Sequence, residues 1–111
     1  MPDKVSITED QAIELAEMFR LMGDPSRLKI IVVCLEEAVC VSDIAARLKL
    51  SPSLVSHHLR LLRAARVLRA ERQGKQVFYT AADEHIRCVI VDMTAHVGEP
   101  DDTNDPLETQ R

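Results

Sequence analysis

The chain has 111 residues, 46% of them hydrophobic and 29% charged, with a formal net charge of −4 and three scattered cysteines that form no CxxC pair. Those values suit one soluble globular domain and do not suit a disulfide framework. No run of about 18 apolar residues exists, so no membrane span is expected. Met1-Pro2-Asp3-Lys4 does not open a signal peptide, and a cytoplasmic location with reduced thiols follows as the expectation.

Thr8-Glu9-Asp10-Gln11 reads as a capping box, followed by Ala12, Leu15, Ala16, Phe19 and Met22 at helical spacing. Gly23-Asp24-Pro25 breaks that helix, and a second runs from Pro25 through Leu28, Ile31, Val32 and Leu35. Glu36-Glu37-Ala38 connects it to a compact helix over Val41–Leu48, and Lys49-Leu50 turns the chain. Ser51 is an N-cap and Pro52 suits the first position of a fourth helix that reaches about Ala65. Its core stripe is Val55, Leu59 and Leu62. The period then changes: Val67–Arg72 and Gln76–Thr80 read as strands joined by Gln73-Gly74-Lys75. A last helix is expected from near Ala82 to about Val97, stopped by Gly98 and Pro100. Residues 1–99 form the domain, and the acidic tail of residues 100–111 is expected to be disordered. The fold class is mainly α with a small β-hairpin: a winged helix-turn-helix. Only two Phe and one Tyr are available, so a small aliphatic core makes burial in a homodimer a natural remedy.

The negative total hides a basic centre. From Arg47 to Lys75 the chain carries eight Arg and Lys against the single acid Glu71. A local basic surface in an acidic chain can bind phosphate. On the fourth helix Ser53, Ser56, His57 and Arg60 fall at i, i+3, i+4 and i+7, opposite the core stripe. Short hydroxyls allow close approach to a major groove, and Arg60 can reach a base edge or a phosphate. Ser51 stands at the start of that helix. Arg69, Arg72, Gln73 and Lys75 fall on or near the hairpin, where wing contacts to the DNA backbone are expected.

Several segments resemble the ArsR/SmtB family: Asp24-Pro25-Ser26-Arg27-Leu28, Val39-Cys40-Val41-Ser42-Asp43-Ile44-Ala45, Ser51 to Leu62 with Ser56-His57-His58-Leu59 at its centre, and Arg72 to Tyr79. The resemblance spans roughly residues 10–99. It implies a homodimer formed through the first and last helices. It also implies a repressor that leaves its operator DNA when an inducer, usually a metal ion, binds.

Four potential metal ligands lie on or beside the last helix: Asp83, His85, His96 and Glu99. His85 and His96 are 11 residues apart, about three turns plus 20°, so they share a face yet stand about 16 Å apart along the axis. One zinc ion with ligands at about 2 Å cannot take both from one chain. Two such helices, antiparallel across a two-fold axis, bring the Asp83/His85 end of one chain to the His96/Glu99 end of the other and make two equivalent sites. Ile86, Val89, Ile90, Met93 and Val97 form an apolar stripe beside the polar one. Two imidazoles and two carboxylates suit zinc(II) or cobalt(II). The same residues match a last-helix pattern of the family's zinc sensors, Asp-x-His followed after ten residues by His-x-x-Glu. Pro100 biases Glu99 away from helical dihedrals, so Glu99 is expected beyond the helix.

The family's second metal site uses paired cysteines. Cys40 matches one position, Ser42 replaces the next, and residues 1–33 hold no cysteine, so a thiolate-rich site is not expected. A thiol- or persulfide-responsive repressor on the same scaffold is the alternative reading, with Cys34 and Cys88 as candidates. A buried cysteine can equally act as a small hydrophobe. A metal-dependent hydrolase lacks a nucleophile with its base and an open coordination position, so the chain is not expected to be an enzyme. A winged helix used only for protein contacts is opposed by the serine-rich, basic recognition face.

Overall fold

The computed structural model describes residues 4–100. Beyond Pro100, the expectation for the acidic tail lies outside the described residues. Helices α1 (Glu9–Met22) and α2 (Pro25–Glu36) are followed by strand β1 (Val39–Cys40) and helices α3 (Val41–Leu48) and α4 (Pro52–Ala64). Strands β2 (Leu68–Gln73) and β3 (Gln76–Ala81) form the hairpin, and α5 (Glu84–Gly98) closes the order.

Local chemistry sets the helix starts. At α1 the Thr8 hydroxyl accepts from the Gln11 amide at 3.1 Å, while the Gln11 side chain accepts from the Thr8 amide at 3.0 Å. This is the reciprocal capping box. Asp24 caps α2 through the Arg27 amide at 3.0 Å, with Pro25 at the first position. Ser51 caps α4 through the Leu54 amide at 3.1 Å. Asp83 caps α5 through the Ile86 amide at 3.1 Å.

The core gathers around α2. Ile30, Ile31 and Cys34 pack with Val39, Ile44, Val55, Leu59, Leu62, Val67 and Leu68. The expected α4 stripe is wholly buried. On α1, Leu15 and Phe19 are exposed, and on α2 so are Leu28 and Val32. α1 and α5 give the core little more than Met22 and Ile90, which leaves the apolar face of α1 bare and opens a groove between α2 and α5 in which Leu28 and Val32 stand.

A third strand joins the hairpin. β1 pairs antiparallel with β3, Val39 opposite Tyr79 and Cys40 opposite Phe78, giving the sheet order β1-β3-β2. Two residues carry no period of their own, so the sequence reading has no strand there. The hairpin loop is also tighter than expected. Gln73 pairs with Gln76, leaving only Gly74 and Lys75 in the turn, and Gly74 takes φ +65. Two-residue hairpin loops need positive φ at a central position, which glycine adopts without strain.

Helix α5 begins at Glu84 rather than near Ala82, because the Asp83 side chain turns back to cap it. The helix is tied to the end of α2 by Arg87, which donates to the Leu35 carbonyl at 2.5 Å and pairs with Glu36 at 3.3 Å. That carbonyl is one of the four a helix leaves unpaired at its end. No helix among the described residues is long and apolar enough to cross a membrane.

Candidate nucleic-acid interface and metal-ligand set

Helices α3 and α4 are joined by Lys49-Leu50-Ser51. Lys49 ends α3 in the left-handed region at φ 57, and its amide donates back to the Ala45 carbonyl. The second helix of the pair thereby leaves the first within one short turn. On α4 the face opposite the core carries Ser53, His57 and Arg60, all exposed, with Ser56 half-buried. The sequence spacing and the structure agree on this face. Ser51 uses its hydroxyl as an acceptor in the cap, which leaves the hydroxyl proton free to donate to a phosphate.

Arg72, Gln73 and Lys75 stand exposed at the far end of the hairpin. Arg69 is placed differently. It lies near the hairpin's base and lines a pocket of about 650 Å³ with Leu15, Arg63, Arg66, Asp83 and His85. The basic centre thus divides into a tip that projects and a base that faces α1 and α5.

His58, which the sequence places in the Ser56-His57-His58-Leu59 motif without a role of its own, lies on the core side of α4. It is 7% exposed. Its Nδ1 accepts from Arg27 Nε at 3.0 Å, and Arg27 also donates to the Leu21 carbonyl at 3.3 Å. The imidazole is therefore neutral, with its proton on Nε2. Burial, and then the Arg27 charge, push its pKa below the ordinary 6.5. One guanidinium joins the end of α1, the start of α2 and the back of α4. The signal was present in the Asp24-Pro25-Ser26-Arg27 motif, but a contact across 31 residues cannot be read from spacing.

On α5, His85 and His96 are both exposed and lie on the same helix. Among the described residues, no three of His, Cys, Asp and Glu come together in one chain. Asp83 commits Oδ1 to the α5 cap, leaving its second oxygen for another partner. Glu99 stands just past the helix in extended backbone, φ −76 and ψ 147, as expected from the following proline. The donor set fits a divalent metal in its chemistry: two exposed imidazoles and two exposed carboxylates, separated so that two chains are needed to bring four together.

The cysteines fit a thiol switch less well. Cys34 is fully buried, and burial pushes its thiol pKa up to about 12, so it holds almost no nucleophilic thiolate at neutral pH. Cys88 is exposed. Cys40 is buried with its Sγ 3.3 Å from Ser42 Oγ.

The chain is similar to known proteins in sequence and in fold. The family described as bacterial regulatory protein, arsR family, matches residues 24–70. The chain is 39% identical over 100 residues to a transcriptional repressor SmtB homolog of Synechocystis sp., covering 90% of this chain and 74% of that one. It is 32% identical over 97 residues to a cadmium resistance transcriptional regulatory protein CadC homolog of Staphylococcus aureus, covering 86% of this chain and 80% of that one. Among solved structures, the antimony-specific transcriptional repressor AntR superposes with a TM-score of 0.73 at 26% identity, covering 87% of this chain and 88% of that one.

Proposed function

The chain belongs to the ArsR/SmtB family of bacterial transcriptional regulators, which are not enzymes, and from that premise we propose that it is a cytoplasmic, homodimeric repressor that binds operator DNA and releases it when zinc(II), or a similar ion such as cobalt(II), binds between the subunits. The observation that carries the DNA reading is the exposed Ser53/His57/Arg60 face of α4, set beside a hairpin tipped with Arg72 and Lys75. In this reading α4 enters the major groove, with Ser53, Ser56, His57 and Arg60 toward the bases. Ser51, Arg72, Gln73 and Lys75 take the backbone, while Arg69, expected there from the sequence, stands at the base of the hairpin toward α1 and α5.

The homodimer reading rests on the bare apolar faces. Ile13 and Phe19 on α1 are 62% and 53% exposed, and Met93 and Val97 on α5 are 56% and 79% exposed. Surfaces of that kind mark an interface. Antiparallel α5 helices would pair Asp83 and His85 of one chain with His96 and Glu99 of its partner. A bound divalent ion would supply a four-coordinate cross-link there. What the chain contributes is placement: the cap holds Asp83 at the helix start, and Glu99 stands in extended backbone just past the helix end. Two recognition helices must sit about 34 Å apart to read successive grooves, so any constraint at the α5 pair shifts their spacing. The cadmium and antimony named for two relatives favour a metal inducer over a thiol one, as does the buried Cys34.

The test is fluorescence anisotropy of a labelled duplex from the protein's own promoter, with chelator-treated, reduced protein titrated with zinc. We expect tight binding without metal and release near one zinc per protomer. The His85→Ala and His96→Ala variants should bind DNA and fail to release it. By linkage, operator must weaken zinc binding by the same factor. DNA binding that ignores zinc overturns the metal reading alone, and no binding to any duplex overturns the DNA reading.

A further inference from the structure

Helix α5 is fastened to the body of its own chain at one end. Ile90 is buried and Ile86 packs partly against the core. Further along, Met93 and Val97 are exposed, and a groove of about 470 Å³ opens between this half of the helix and α2. Apolar packing is non-directional, so two isoleucines leave rotation of the helix weakly fixed. Arg87 supplies the direction. Its guanidinium donates to the Leu35 carbonyl at 2.5 Å and lies 3.3 Å from Glu36 and 3.7 Å from Glu84. Among the described residues, no other side chain of α5 hydrogen-bonds to a different element. Charge-assisted bonds of this kind carry geometric specificity.

The donor sits in the first turn of α5, where the Arg87 amide bonds to the Asp83 carbonyl at 3.3 Å and His85 shares the turn. The acceptor is in the last turn of α2, from which the chain runs through β1 straight into α3 and α4. Thr80 of β3 donates to the neighbouring Cys34 carbonyl at 3.3 Å, so the end of α2 is held from the sheet as well. The main chain joins α5 to the hairpin, and Arg87 joins it to the helices that read DNA. We propose that Arg87 is a positioning residue of the switch: it locks the first turn of α5 to the end of α2, so that the angle between the two α5 helices of a dimer becomes the spacing of the two α4 helices. The inference rests on the metal site given under the proposed function, which acts on that turn through Asp83 and His85. Without a directional joint, each α5 turns beneath its own head and the heads keep their spacing.

The test compares full-length wild type, Arg87→Met and Arg87→Gln. Met keeps the alkyl stem without donors, and Gln keeps donors on a shorter stem. Operator affinity is measured by anisotropy with and without zinc, and zinc affinity by competition with a chelator. We expect both variants to bind zinc and metal-free operator as wild type does, and the zinc-dependent change in operator affinity to shrink by about tenfold. A folded variant that keeps the wild-type ratio overturns the proposal. NMR gives a readout without DNA. In labelled wild type, zinc should shift the amide signals of Val39 and Cys40 in β1, an element that holds none of the four ligands, and Arg87→Met should abolish the shift. Unmoved wild-type signals overturn the joint even if neither variant folds. Zinc that fails to bind wild type, or to release its operator, sinks the metal reading beneath. Release that is intact in wild type and variants alike sinks this inference alone.

Discussion

His58 lies against Arg27 with its lone pair on the guanidinium side. A proton on Nδ1 would set donor against donor. Burial and the Arg27 charge lower its pKa in the folded chain, so between that lowered value and the ordinary 6.5 the unfolded chain binds a proton that the folded chain does not. Stability from this residue is present above the unfolded value and is lost as pH falls through that window. We expect the melting temperature to drop as pH falls below the ordinary imidazole value of 6.5 and His58→Gln, whose amide oxygen can still accept, to flatten that drop. Thermal denaturation at constant ionic strength checks it, and an unchanged slope in the variant means His58 is not the group responsible.

At the scale of elements the hairpin is the informative case. A two-residue loop at Gly74-Lys75 keeps the strands in tight register, from Leu68 opposite Ala81 to Gln73 opposite Gln76. That register carries Arg72 and Lys75 away from the core, while Arg69 stays at the base. Each phosphate contact contributes roughly one unit to the slope of log K against log salt. Arg72→Gln and Lys75→Gln are therefore each expected to lower that slope by about one and to weaken all duplexes alike. Binding measured from low to high salt on operator and random duplexes decides it. A loss confined to the operator would instead make these residues readers of sequence.

For the whole molecule the decisive feature is what the single chain leaves uncovered. Ile13, Leu15 and Phe19 on α1 and Val89, Met93 and Val97 on α5 are exposed together. A further apolar groove of about 470 Å³ lies between α2 and α5, lined by Leu28, Val32, Ile90 and Met93 among others. A chain this small gains stability by covering such surface with a second copy. Phe19→Asp and Met93→Asp are each expected to shift the protein toward monomer in sedimentation and to weaken operator binding by more than about tenfold, since one head then loses the partner that doubles its contacts. The wild-type melting temperature should rise with protein concentration. Variants that remain dimers with unaltered DNA affinity would move the interface elsewhere.

Whereas the Asp24 and Asp83 caps emerged only with the fold, legible in the chain alone were the helices, the Thr8 and Ser51 caps, the α4 core stripe, the two-stranded hairpin and the polar face of α4. Each rests on interactions within a few residues, at a period the chain spells out: Thr8 with Gln11, Ser51 with Leu54, Val55 with Leu59 and Leu62. The spacing of His85 and His96 likewise ruled out a single-chain site before any coordinates. Tertiary structure decided the rest. β1 exists only because β3 runs beside it. Arg69 faces a pocket because α1 and α5 close over the base of the hairpin. Arg27 finds His58 across 31 residues, and Cys34 is silenced by the core packed around it. Those outcomes depend on which elements meet, and a local pattern carries no information about partners that are distant in the chain.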